Sequence, residues 1–167
     1  ILSVAPTRRN SPEAIEPRAK VTSKMNQILA ELDAARHEAA ALMLDPDGNV
    51  AEHATANLFI VRDGVLLTAP GQNVLEGVTR SVVLELAGRL SVPAEERAFS
   101  LYDVAQADEI FLTATTSGIT PVQRVDRFVP RAPVPGPITK ELMAAYIQEC
   151  GYDVVAAAEA ARRRGTG

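Results

Sequence analysis

Cysteine is almost missing from this chain. Cys150 is the one thiol in 167 residues, so no disulfide can form within the chain, and a reducing, cytoplasmic setting is expected. Histidine is nearly as scarce: His37 and His53 are the whole supply, and their separation has no metal-ligand spacing, so no metal site is expected. No stretch approaches the ~18 apolar residues of a membrane helix. No charged-then-apolar leader is visible either. An excess of positive charge is lacking too. Lys and Arg number 17 against 21 Asp and Glu, a net charge of -4, which argues against a nucleic-acid partner. Arg162-Arg163-Arg164, at the far C-terminus, reads as a solvated tail. No Gly-x-Gly-x-x-Gly loop follows a strand, so a dinucleotide site has no support. The first residue is Ile1 rather than Met, as expected of a trimmed or cleaved chain.

What remains is ordinary for a soluble globular protein, with 47% hydrophobic and 23% charged residues. The length fits one domain, large enough to bury roughly 70% of the surface of its unfolded chain. Residues 1–19 read as a linker, because Pro6, Pro12 and Pro17 interrupt any periodic pattern. Residues 20–150 carry the domain, and 151–167 form an Ala- and Arg-rich tail. Met25, Ile28, Leu29, Leu32 and Ala35 recur at helical steps and predict a helix over 23–39 with that face buried. A strand over 41–44 closes at Asp45-Pro46-Asp47-Gly48. Strands over 58–61 and 65–68 are joined as a hairpin through Arg62-Asp63-Gly64. A helix is predicted over 79–90, a strand over 95–99, a short helix over 101–107 and a strand over 109–114. Another strand is expected from Pro121 to Arg124, and a last helix over 139–150. Hairpins among crossovers favour an α/β fold with a mixed, barrel-like sheet over a doubly wound parallel one.

Four short stretches could carry chemistry. Lys20 precedes the first helix; taken alone it is a surface lysine, and Lys24 competes with it. Glu52 lies in Val50-Ala51-Glu52-His53-Ala54-Thr55-Ala56-Asn57-Leu58-Phe59, and alone reads as a carboxylate at a strand end. Gly77-Val78-Thr79 opens a helix, either as an anion site built from backbone N–H groups or as a glycine turn with a threonine cap. Thr113, Thr115 and Thr116 end a strand, where threonine is also a plain β-former.

In this order and register the stretches resemble the class IV (fold type IV) aminotransferases, which include branched-chain and D-amino acid transaminases. The resemblance runs from about Arg8 to Gln148, with Asn57 and Ile119-Thr120-Pro121-Val122 also fitting. It implies the larger, cofactor-binding domain of such an enzyme, with pyridoxal 5'-phosphate as cofactor. Lys20 is then the lysine that joins the cofactor aldehyde and shuttles the substrate proton. Glu52 meets the pyridine nitrogen, while Val78, Thr79, Thr115 and Thr116 hold the phosphate. The implied substrates are an amino donor and a 2-oxo acid acceptor, and the implied assembly is a homodimer, with no nucleic acid or membrane partner. The family's smaller N-terminal domain, which gives an arginine to the phosphate, has no counterpart here. Ser23, Lys24, His53 and Gly118 depart from common family choices. Two alternatives stay open: a lyase on the same scaffold, like the aminodeoxychorismate lyases, and a non-catalytic relic or interaction domain.

Overall fold

The computed structural model describes residues 1–151, 153 and 156. In chain order the elements are β1 (Leu2–Val4), α1 (Met25–Ala35), β2 (Ala40–Leu44), β3 (Val50–His53), β4 (Ala56–Arg62), β5 (Val65–Thr68), α2 (Val78–Arg89), β6 (Ala94–Glu96), α3 (Leu101–Ala105), β7 (Glu109–Ala114), β8 (Gly118–Pro121) and α4 (Pro137–Cys150). The expected tail over 151–167 lies almost wholly outside the described residues.

The centre of the sheet is β4, whose Leu-Phe-Ile-Val run suits a strand buried on both faces. One edge of β4 is shared by β3, at Ala56 and Asn57, and β5, from Phe59 to Arg62; β7 takes the other edge. Asp63 and Gly64, with φ of 52° and 78°, make the two-residue hairpin turn between β4 and β5. Two pairings are parallel, β1 with β2 and β5 with β6; the rest are antiparallel. The path β1-β2-β3-β4-β7-β8 then curls back on itself. Leu2 N–H donates to Arg124 O at 2.9 Å and Asp126 N–H to Leu2 O at 2.9 Å, joining the first strand to the chain beyond β8. The expected mixed, barrel-like α/β fold is what the chain forms.

Inside the curl lie Leu2, Leu42, Leu44, Val50, Leu58, Ile60, Ile110, Val122 and Val125. On the outer face, Phe59 and Phe111 stack with centroids 5.1 Å apart, and α2 and α4 cover them with Val83, Leu86 and Leu142.

Three expectations need correction. The supposed linker over 1–19 supplies β1 and the buried Arg9, because a three-residue strand is too short to show a period. The strand expected from Pro121 to Arg124 instead runs from Gly118 to Pro121; the proline sits between hydrogen-bonded pairs of the β7 ladder, so its missing N–H costs nothing there, and Val122 N–H still donates to Ile110 O at 2.9 Å just beyond it. The face of α1 is also reversed. Ala30 and Ala34 pack on Ala41 and Met43, while Met25, Ile28, Leu29 and Leu32 are 61%, 50%, 48% and 60% exposed. Small side chains let the helix lie close to the sheet, and the bulky stripe points away.

The N-terminus of α4 has glycine as its cap residue and no side-chain cap of its own. Buried Glu109 fills that role, accepting from Ile138 N–H at 3.0 Å and Thr139 N–H at 2.7 Å. A β-carbon on Gly136 would come 2.2 Å from the Glu109 carboxyl carbon. Glu109→Ala is therefore expected to lower stability by about 2 kcal/mol, and Gly136→Ala to act in the same direction, read from urea midpoints.

Candidate active site

Paired residues in a ladder share a face of the sheet, so register builds the site. Across β2, β3, β4, β7 and β8 one row reads Met43, Glu52, Asn57, Thr113, Ile119. Its apolar ends are covered, Met43 by α1 and Ile119 by α2 and α4. Its polar middle falls in the gap between those helices. Glu52, Asn57 and Thr113 are nonetheless only 6%, 5% and 1% exposed. Buried polar groups need partners.

Glu52 has several. Its Oε2 accepts from Asn57 Nδ2 at 3.1 Å and from Leu75 N–H at 3.1 Å. Asn57 Nδ2 also donates to Leu75 O at 2.8 Å, which closes a ring of three residues. Arg9 Nε lies 3.1 Å from Glu52 Oε1, an ion pair in distance, although its N–H is not aligned for a hydrogen bond. Thr113 Oγ1 is buried with no partner among the described residues. Burial pushes the Glu52 carboxyl up to about 7, and Arg9, Leu75 N–H and Arg80 pull in the opposite direction without prevailing.

The turn that meets Asn57 leads directly into α2. Gly77 is the cap residue of this 12-residue helix, which has no side-chain cap, so its first N–H groups are open to an anion. A β-carbon on Gly77 would sit 2.2 Å from Asn57 Oδ1, so only glycine fits. Val78 is exposed and Thr79 is buried in the first turn. Thr115 and Thr116 are exposed in the turn from β7 to β8, two and three residues beyond Thr113.

Lys20 is exposed in the loop that leads to α1. The near end of that loop is fixed: Arg9 N–H donates to Leu44 O at 2.8 Å, and Asn26 Nδ2 to Arg8 O at 2.7 Å. Arg18, two residues before Lys20, is held above its usual value by its bonds to Glu16. His53 joins β3 to α1. Its Nδ1 accepts from Thr55 N–H at 3.0 Å and its Nε2 is 3.2 Å from Glu31. Burial lowers its pKa, with Glu31 acting in opposition.

The structure thus joins Glu52 to the turn before Val78 and Thr79, and sets Thr115 and Thr116 just past the same polar row. It shows no bond from Lys20 to that network. Arg9 escaped the sequence reading, because nothing in a proline-broken segment marks one arginine for burial. The partnership of Asn57 with Glu52 was available in principle: a strand-turn-strand reading of 50–59 centred on Ala54-Thr55 sets the two opposite each other.

A carboxyl raised from 4.5 to about 7 binds its proton more tightly folded than unfolded. Its contribution to stability is fully present below 4.5 and is lost as pH rises through 7. Glu52→Gln should therefore flatten the decline in stability across that window, as followed by urea unfolding at a series of pH values. An unchanged slope would place the titration elsewhere.

The family model for class IV amino-transferases matches residues 2–125. A probable branched-chain-amino-acid aminotransferase of Thermotoga maritima is 33% identical over 85% of this chain and 52% of its own length. A D-alanine aminotransferase of Listeria monocytogenes is 34% identical, over 82% of this chain and 49% of its own. The branched-chain amino acid aminotransferase of Thermobaculum terrenum, solved in its PLP-form, superposes with a TM-score of 0.84 at 35% identity, covering 87% of this chain and 48% of that one. The chain spans about half the length of these relatives, and 26% of a branched-chain-amino-acid aminotransferase-like protein of Arabidopsis thaliana that is 37% identical over 87% of this chain. With the family model over most of the chain and the same fold in a solved relative, this chain belongs to the class IV aminotransferases.

Proposed function

We propose that this chain is the cofactor-bearing part of a pyridoxal-phosphate aminotransferase, which moves an amino group between an amino acid or amine and a 2-oxo acid. The observation that carries the reading is the buried Glu52 network built onto the uncapped start of α2. A buried carboxyl suits a pyridine nitrogen, because a single proton can be shared between the two. An open helix N-terminus with no room for a β-carbon at Gly77 suits a phosphate. The relative from Thermobaculum terrenum is in PLP-form. A second solved branched-chain amino acid aminotransferase is complexed with N-(5'-phosphopyridoxyl)-L-glutamate, at a TM-score of 0.84 and 32% identity.

In this reading Glu52 faces the ring nitrogen and keeps a proton there. The N–H groups of Val78 and Thr79 and the turn at Thr115 and Thr116 hold the phosphate. Lys20 brings its amine from the loop and carries the proton at the substrate α-carbon. When bound, the group supplies the electron sink for breaking a bond at that carbon. Ser23, Lys24 and His53 leave these roles in place, since the carboxylate, the turn and the lysine are all present.

A homodimer and a cytoplasmic setting belong to the same proposal. The exposed Met25, Ile28, Leu29 and Leu32 on α1 form an apolar stripe of the kind that subunit contact covers. Among the described residues, no helix is long and apolar enough to cross a membrane.

Borohydride treatment after adding pyridoxal 5'-phosphate should label Lys20, as mapped by mass spectrometry. Labelling spread over Lys24 and Lys140 would sink the assignment. Lys20→Ala is expected to slow amino transfer by the full protein about 10³-fold. Leu32→Glu should shift the sedimentation of a dimer towards monomer; an unchanged profile would remove α1 from the interface.

A further inference from the structure

We propose that Asn57 is a positioning residue: its amide locks the Glu52 carboxylate to the Leu75–Gly77 turn, so the group that meets the ring nitrogen and the N–H groups that meet the phosphate are held at one fixed separation. The inference rests on the cofactor site proposed above and adds to it the part that sets its internal spacing.

Both hydrogens of the amide are committed, one to Glu52 Oε2 at 3.1 Å and one to Leu75 O at 2.8 Å. Both partners are acceptors, which fixes which end of the amide is nitrogen. Leu75 N–H returns to the same Oε2 at 3.1 Å, so the strand carboxylate and the turn backbone are bonded to each other directly and through Asn57. The other end of the amide, Oδ1, faces Gly77, where a β-carbon would come within 2.2 Å. Asn57 is thus in register with Glu52 on one side and Thr113 on the other, and it touches the residue that caps α2. Among the described residues, no other side chain makes both of these bonds. Aspartate would offer no hydrogens and would repel Glu52. Serine is too short to reach both acceptors. Leucine would fill the space and leave a buried carboxylate and carbonyl short of a donor.

Asn57→Asp and Asn57→Ser in this chain test the assignment through two readouts. The first is the titration of the Glu52 carboxyl by carbon NMR, whose midpoint should move up in both variants as a donor is lost. The second is the affinity ratio between pyridoxal 5'-phosphate and pyridoxal, by equilibrium dialysis. That ratio should fall roughly tenfold in the variants, because ring and phosphate are no longer met together. A role confined to folding would lower the melting temperature while leaving the midpoint and the ratio as in the wild type, and that result overturns the proposal. Should Asn57→Asp fail to fold, Asn57→Ser decides. If wild type binds the phosphate ester no better than pyridoxal, the cofactor site itself is wrong and the inference falls with it. If wild type discriminates and the variants match it, the inference alone fails.

Discussion

A carboxyl buried to 6% exposure is the constraint around which this molecule is arranged. Leaving such a group ionised and unpaired costs several kcal/mol, enough to consume much of a domain's net stability. Glu52 meets that demand from three directions: Arg9 from the segment before α1, Asn57 from the facing strand, and Leu75 N–H from the turn into α2. Each partner comes from a different part of the chain. The need to satisfy one side chain therefore fixes three backbone segments relative to each other. Burial outweighs the guanidinium and pushes the carboxyl up to about 7.

The helices divide the outer face of the sheet into two apolar patches with the polar row between them. Small residues make this possible on one side. Ala30 and Ala34 let α1 lie against Ala41 and Met43 without crowding Glu52, the ladder neighbour of Met43. On the other side the stacked Phe59 and Phe111 pack against Val83 and Leu86 of α2 and Leu142 of α4. The same row changes from methionine to carboxylate to amide to hydroxyl to isoleucine across five strands. Position in the ladder, more than position in sequence, decides which polar residues meet.

Much of the fold was legible because it rests on local rules. The Asp63-Gly64 turn, the Asp45–Gly48 turn and the apolar run of β4 each follow from a few neighbouring residues. The face of α1 was misread for a physical reason. Periodicity finds the most hydrophobic stripe and assigns it to the core, but this core needed closeness, and alanine provides that where leucine does not. β1 was missed because three residues carry no period; its place comes from backbone bonds to Arg124 and Asp126, far along the chain. Of the candidate site residues, Glu52 and Gly77-Val78-Thr79 were singled out through motif order, and the structure bonds Glu52 to Leu75 in the turn just before that helix start. The network around them was less visible, since Arg9 pairs with a Glu52 that lies far along the sequence, beyond α1 and β2.

Arg9 gives that ion pair a second consequence. It lies at the near end of the loop that carries Lys20, and Arg8 and Asn10 on either side of it are tied to Asn26 in α1. The loop thus begins at Glu52 and ends at a helix seated beside Glu52 on the same face of the sheet. Both attachments of Lys20 are referred to one carboxylate, although the lysine itself stays exposed. Replacing Arg9 would do more than remove a charge. It would leave Glu52 without its nearest cation and release the start of the loop, coupling the electrostatics of Glu52 to the freedom of the loop that carries Lys20.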